Sequence, residues 1–268
     1  MEPLPPTDTR ALFHPLHREL IALLRGLSDD DWMKPTVAGA WRVRDVVAHL
    51  LDTDLRRLSS LRDHFGEAPD APIDAYGDLV AFLNRLNASW VAAMRRLSPR
   101  LLVDMQERFG TEAADAVIAL PPDEEASFSV AWAGEARSAN WFDVGREYTE
   151  RWHHQMQIRD AVGAPLLLDA EWLVPLLELS LRALPHAYGG SRACVVFDVP
   201  QVGVWSLRDA AVYRGAATDA ELRVTLDGDT AWRLLYNALP EQEARERVTL
   251  HGDASLAEPL FRARSVMV

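Results

Sequence analysis

The hydrophobic period of this chain changes once, near Pro165, and that change limits the fold more than any other feature. Before it, apolar residues recur every three to four positions in stretches of about twenty residues, the spacing of amphipathic helices. After it, β-branched residues begin to alternate and Gly- and Asp-bearing turns separate short runs, which is the pattern of strands. At 268 residues the chain is long enough for two domains. The boundary is expected at the Gly163-Ala164-Pro165 stop, giving a helical domain over 1–164 and an α+β domain over 165–268.

The first part resolves into segments. Leu12, Phe13, Leu16, Leu20, Leu23, Leu24 and Leu27 stripe a first helix, and Val43, Val46, Val47, Leu50, Leu51, Leu58 and Leu61 a second over about 42–65. A loop is expected from Gly66 to Gly77. A third helix over 78–97 carries Leu79, Phe82, Leu83, Leu86, Trp90 and Met94 as its core side. Ser98-Pro99 makes a cap and first-turn start for another, reaching about Ala114. The stretch Pro121 to Ser138 reads as a long loop or short hairpin, and Asn140 to Val162 is helical again. Helices of this length, with a long excursion before the last, predict a four-helix bundle. Beyond Pro165 the pattern predicts one helix over 169–188 and strands over 194–199, 204–207, 211–214, 222–226 and 248–251. A helix capped by Asp227 and a last one opening at Gly252-Asp253-Ala254 complete the α+β domain.

Charge and cysteine content narrow the function. With 28 Lys and Arg against 40 Asp and Glu, the net charge of −12 disfavours nucleic acid as the main partner. One cysteine, Cys194, rules out an intrachain disulfide or a cysteine cluster, and its apolar flanks mark it as a buried, inert thiol. No apolar run reaches the roughly 18 residues of a membrane span. The opening MEPLPPTDTR is polar and proline-rich, unlike a secretory signal. A cytoplasmic protein acting on a small molecule is expected, with its oligomeric state open.

Among eight histidines, two positions stand out. His49 lies at the edge of the second helix's apolar stripe, where its polar nitrogens need a partner inside the bundle. Glu150 and His154, four apart, share one helix face, with Glu147 a turn earlier and Ile158 a turn later. An imidazole and a carboxylate one turn apart, joined by an imidazole from another helix, give three ligands on one side of a metal with positions left open. Two nitrogens and one oxygen suit zinc first, and also nickel, iron or manganese. The same spacing also fits a solvated ion pair and a satisfied core histidine. His153 points about 100° away and reads as a surface residue or an alternative ligand. His14 with His17 and His251 read as structural, and Trp41 and Trp152 are candidates to line a pocket mouth.

The residues around these positions carry a resemblance. Gly39-Ala40-Trp41-Arg42-Val43-Arg44-Asp45-Val46-Val47-Ala48-His49-Leu50 resembles the first signature of the DinB/YfiT-like metalloenzyme superfamily. Thr149-Glu150-Arg151-Trp152-His153-His154, followed by Ile158-Arg159-Asp160-Ala161, resembles the second signature of its mycothiol-dependent maleylpyruvate isomerase branch. The segments Val224 to Thr230 and Val248 to Asp253 are similar to the sterol-carrier-like C-terminal domain of that branch. The resemblance implies His49, Glu150 and His154 as metal ligands, and mycothiol or another low-molecular-weight thiol as cofactor or co-substrate. It implies isomerisation of, or S-transfer to, a small electrophile. The branch also carries an arginine after the helix that follows the Asp-Gly-Asp-like turn. Tyr236-Asn237-Ala238-Leu239-Pro240 stands there instead, so the resemblance carries the reaction class further than the substrate. Two other readings fit the same ligand set: a non-catalytic metal or small-ligand binding protein, and a metal-dependent hydrolase.

Overall fold

In the computed structural model, which describes residues 1–66 and 68–265, the change of period at Pro165 marks the passage from helices to sheet. The helices of the first part are α1 (Phe13–Arg25), α2 (Val43–Leu61), α3 (Tyr76–Met94), α4 (Pro99–Ile118) and α5 (Asn140–Val162). Their starts follow local chemistry. The Asp45 carboxylate, three residues into α2, accepts from the Arg42 backbone N–H at 3.1 Å, and Asp78 does the same for Ala75 at 2.9 Å. Ser98 Oγ accepts from Leu101 N at 3.3 Å ahead of Pro99, as the sequence predicts.

Two compact units form. One comprises residues 9–122 and 150–166. Its core joins Leu20 and Leu24 of α1, Val43, Val46, Val47, Leu50 and Leu51 of α2, Leu102 and Val103 of α4, and Ile158 of α5. Four helices therefore share that core. The expected core stripe of α3 is only half-buried, and Val91 is the fully buried residue of that helix. Only Trp90 and Met94 of that stripe reach the core cluster, from its margin. Polar side chains also enter the interior of this unit. Asp54 on α2 accepts from Gln106 of α4 at 2.5 Å and pairs with Arg151 of α5, all three buried.

The other unit comprises residues 1–8, 123–149 and 167–268, a grouping that differs from the sequential cut at 164/165. Three contacts account for the difference. β1 (Glu2–Pro3) pairs antiparallel with β4 (Ala211–Arg214). Glu125 bridges Ala139, closing the expected loop or hairpin around a 3-10 turn at Ala131–Ala133. Tyr148, in the first half of α5, donates its hydroxyl to the Trp172 carbonyl at 2.8 Å.

The sheet of this unit is completed by β2 (Val195–Val199), β3 (Gly203–Arg208), β5 (Leu222–Thr225) and β6 (Thr249–Gly252), in the order β1-β4-β3-β2-β5-β6. All pairings are antiparallel except β2 with β5. The remaining helices are α6 (Ala170–Ser180), α7 (Leu184–Ala187), α8 (Gly228–Leu235), α9 (Glu241–Arg247) and α10 (Glu258–Arg262). The single helix expected over 169–188 is divided by a 3-10 turn at Leu181–Ala183, just ahead of Pro185. Asp227 caps α8 by accepting from Thr230 N at 2.7 Å. The architecture is thus a helical bundle followed by an α+β sheet region. Among the described residues, no helix is long and apolar enough to cross a membrane.

Candidate metal centre

His49 sits in the middle of α2, and Glu150 and His154 occupy successive turns of α5. The helical periods of two strongly patterned segments therefore fix which way all three side chains face. They meet: one ligand-capable atom from each lies within 4.8 Å of the others. The His49 and His154 rings are 4.7 Å apart between centroids in an edge-on arrangement, and His154 Nε2 is 3.5 Å from Glu150 Oε2. Both histidines are buried. Trp41, from the segment that leads into α2, lies 5.0 Å from His49 and 6.5 Å from His154 between ring centroids, a wall for the cluster.

Protonation follows from the surroundings. Burial pushes the His49 imidazole well below its ordinary pKa, and the charge of His154 adds to the effect against the pull of Glu150. Burial alone would raise the Glu150 carboxyl, but His153, His154 and His49 together hold it far below the usual carboxylate range. A neutral imidazole beside a carboxylate is the deprotonated set that a metal requires. His154 Nδ1 donates to Gln157 Oε1 at 2.8 Å, which leaves Nε2 to face Glu150. Two acceptors 3.5 Å apart need a cation between them, and a proton on Nε2 or a metal ion each supplies one. His49 Nδ1 is buried with no hydrogen-bond partner, a costly state for an imidazole that contributes nothing else. An orphaned imidazole nitrogen, a carboxylate and an oriented second imidazole fit a divalent transition metal held by three protein ligands, with coordination positions left over.

Of the other candidates, His153 stays beside this cluster and the rest separate from it. His153 is buried, not at the surface, with its ring centroid 4.0 Å from that of His154. Glu147 turns to Arg146 at 3.1 Å. His17 is buried against the Glu107 carbonyl at 3.3 Å, and His14 pairs with Asp115 at 3.0 Å on the surface. His251 is exposed on β6, Cys194 is buried, and Trp152 is wholly buried and lines no mouth. Sequence reasoning missed Gln157, although its position three residues beyond His154 places it on the same helix face.

The family model described as "Mycothiol maleylpyruvate isomerase N-terminal domain" matches residues 13–159, more than half of the chain and all three residues of the cluster. The chain belongs to this family. Among curated relatives of this mycothiol maleylpyruvate isomerase-type chain are two uncharacterized proteins of Mycobacterium tuberculosis, MT0041 of strain CDC 1551 / Oshkosh and Rv0036c of strain ATCC 25618 / H37Rv. Each is 30% identical over 171 residues, which cover 63% of this chain and 62% of the relative's length. The crystal structure of the mycothiol-dependent maleylpyruvate isomerase superposes with a TM-score of 0.59 at 12% identity, covering 92% of this chain and 93% of that one. A histidine-to-alanine mutant of the same isomerase gives a TM-score of 0.57. At this identity the likeness establishes the shared fold of the family member.

Proposed function

We propose that the chain is a metal-dependent enzyme that uses a low-molecular-weight thiol such as mycothiol to isomerise or S-conjugate a small electrophile, the sulfur adding to an activated double bond or displacing a leaving group. The observation that carries this reading is the buried cluster of His49, Glu150 and His154 with an orphaned His49 nitrogen. Membership of the mycothiol maleylpyruvate isomerase family supports the choice of thiol and reaction class.

His49, Glu150 and His154 would hold the metal, zinc being the natural choice for two imidazoles and a carboxylate, with nickel, iron and manganese as the alternatives. Bound there, it supplies Lewis acidity that brings the pKa of a thiol toward neutrality. The residues of the chain do the rest. Gln157 holds the proton of His154 at Nδ1, and so keeps Nε2 directed at the cluster. Burial of both imidazoles keeps water from competing for them, and Trp41 covers their rings. Cys194 is buried, so the nucleophilic sulfur comes from the co-substrate.

Elemental analysis of the purified protein beside His49→Ala and His154→Ala tests the reading. The expected result is about one equivalent of a transition metal, lost in both variants, with thiol-dependent turnover abolished in Glu150→Ala. A native protein that stays metal-free after reconstitution with zinc overturns it. Turnover of a hydrolysable substrate without any thiol would assign a hydrolase instead.

A further inference from the structure

The sheet-bearing unit has a cavity of its own, of about 280 Å³. α7 contributes His186 to its lining, α10 contributes Glu258 and Arg262, and the 3-10 turn at Ala131–Ala133 contributes Trp132. Arg264, two residues beyond α10, lines it too. None of these residues belongs to the unit that carries His49, Glu150 and His154.

The apolar part of the lining is held in place. Gly134 follows the 3-10 turn with φ at +81°, and a Cβ added there would come within 2.6 Å of His186 Nδ1. Glycine therefore lets the turn close against the imidazole, which ties the turn to α7. Trp132 is buried edge-on to Phe142, with 5.7 Å between ring centroids, and makes a fixed wall. Ala183, Ala187 and Ala263 complete that wall with methyl groups, too short to fill the space.

The charged part of the lining is unbalanced. Both Glu258 oxygens accept from Arg245, at 2.9 and 2.8 Å, so this carboxylate already has its cation. Arg262 approaches it only to 3.9 Å, with a side chain 75% exposed. Arg264 is half-buried, and among the described residues it donates to neutral oxygens: Asn237 Oδ1 at 3.3 Å and the Phe261 and Ala263 carbonyls at 2.9 and 2.7 Å. Burial lowers the pKa of this guanidinium, and the Glu241 charge opposes the shift. Its Nη2 makes none of these bonds and is not sealed from solvent. Carboxylates are plentiful in a chain of net charge −12, and other arginines sit directly on one, as Arg95 does on Asp45 at 2.9 Å and Arg146 on Asp143 at 2.6 Å. Arg262 and Arg264 therefore bring unspent donors and positive charge to this cavity.

Such a lining selects its ligand. Oxygens of an anion accept from the guanidinia, and the anion's charge offsets that of the half-buried Arg264. The fixed indole and the methyl groups favour an apolar body, and the volume, at the small end for ligand cavities, keeps that body compact. We infer that this cavity is a binding site for a small organic carboxylate, with its charged end at Arg262 and Arg264 and its apolar body against Trp132. The inference makes no use of the metal cluster or of the thiol.

The probe is benzoate, titrated into the full-length protein and followed by saturation-transfer NMR, with benzyl alcohol and inorganic phosphate as competitors. Saturable benzoate binding is expected, weakened at least about tenfold in Arg264→Gln and severalfold in Arg262→Gln. Both variants should keep the native circular dichroism, and Arg262→Gln, at an exposed position, decides the matter if Arg264→Gln does not fold. Benzyl alcohol, which has the same body without the charge, should compete poorly, as should phosphate, which has the charge without the body. His49→Ala should bind benzoate like the native protein. Absence of saturable binding, or equal binding by the native protein and the arginine variants, overturns the site. Either competitor matching benzoate overturns the assignment to an organic carboxylate. Loss of binding in His49→Ala would place the carboxylate at the metal cluster, which overturns the site and leaves the metal reading standing.

Discussion

His154 Nδ1 lies 2.8 Å from the Oε1 of Gln157, three residues further along α5, and both side chains are buried. An amide oxygen only accepts, so Nδ1 is the donor of this bond and Nε2 is the nitrogen that faces Glu150, at 3.5 Å. A single hydrogen bond within one helix thus sets which nitrogen of His154 is available to a metal.

Gln157→Leu removes that acceptor at similar volume. Zinc affinity, measured by competition with a chromophoric chelator, should fall about 10- to 100-fold. Gln157→Glu keeps an acceptor and should retain most of the native affinity. Unchanged affinity in Gln157→Leu would show that the bond plays no part in holding His154.

The pairing of Asp54 with Arg151 connects α2 to α5, the helices that carry the three cluster residues. Both partners are buried, and Gln106 binds the same carboxylate at 2.5 Å. Asp54→Ala leaves the Arg151 guanidinium buried without its counter-charge and should cost about 3–5 kcal/mol in denaturant unfolding. Joint replacement, Asp54→Leu with Arg151→Met, should recover much of that loss, because the buried charge goes with its partner. A double variant as unstable as Asp54→Ala would mean that the pair contributes more than mutual neutralisation.

Most of the helices and strands, and the positions of His49, Glu150 and His154 on their helices, were legible in the sequence because each depends on local periodicity or on spacing within one helix. What was hidden depends on partners distant in the chain. The Glu2–Pro3 strand exists only because β4 offers it an edge, and the half-burial of α3 depends on how completely the other helices fill the core. Burial of His153, next to a metal-ligand candidate, follows from packing on several sides that no single helical face reveals.

Gly252 closes β6 with φ at +111°, a conformation that L side chains rarely adopt, and it pairs with Leu222 of β5. A Cβ added there would meet the Glu221 carbonyl oxygen at 2.2 Å, a backbone atom with no freedom to move aside. Gly252→Ala should therefore destabilise the sheet by about 2 kcal/mol or more, read as a lower denaturation midpoint. Its zinc stoichiometry should stay native, because the cluster residues belong to the other compact unit.

His17 gives the protein a dependence on acid that is separable from the metal cluster. Its ring packs against Gly110, where a Cβ would come within 2.3 Å of the imidazole, and desolvation lowers its pKa to about 4 against the Glu107 carbonyl's opposing pull. The folded protein therefore keeps this imidazole neutral where the unfolded chain, titrating near 6.5, takes up a proton. The resulting stability is fully present above pH 6.5 and is lost as pH falls through the folded value near 4. The lost share is roughly 3 kcal/mol, since each pKa unit is worth about 1.4 kcal/mol. His17→Met has no titrating group, so its unfolding free energy should fall by that much less between pH 7 and pH 4 than the native protein's. Gly110→Ala, which crowds the ring, should destabilise by about 1–3 kcal/mol at pH 7. Parallel pH profiles for the native protein and His17→Met would show that His17 titrates alike in the folded and unfolded states, and would remove it as the acid-sensitive element of the bundle.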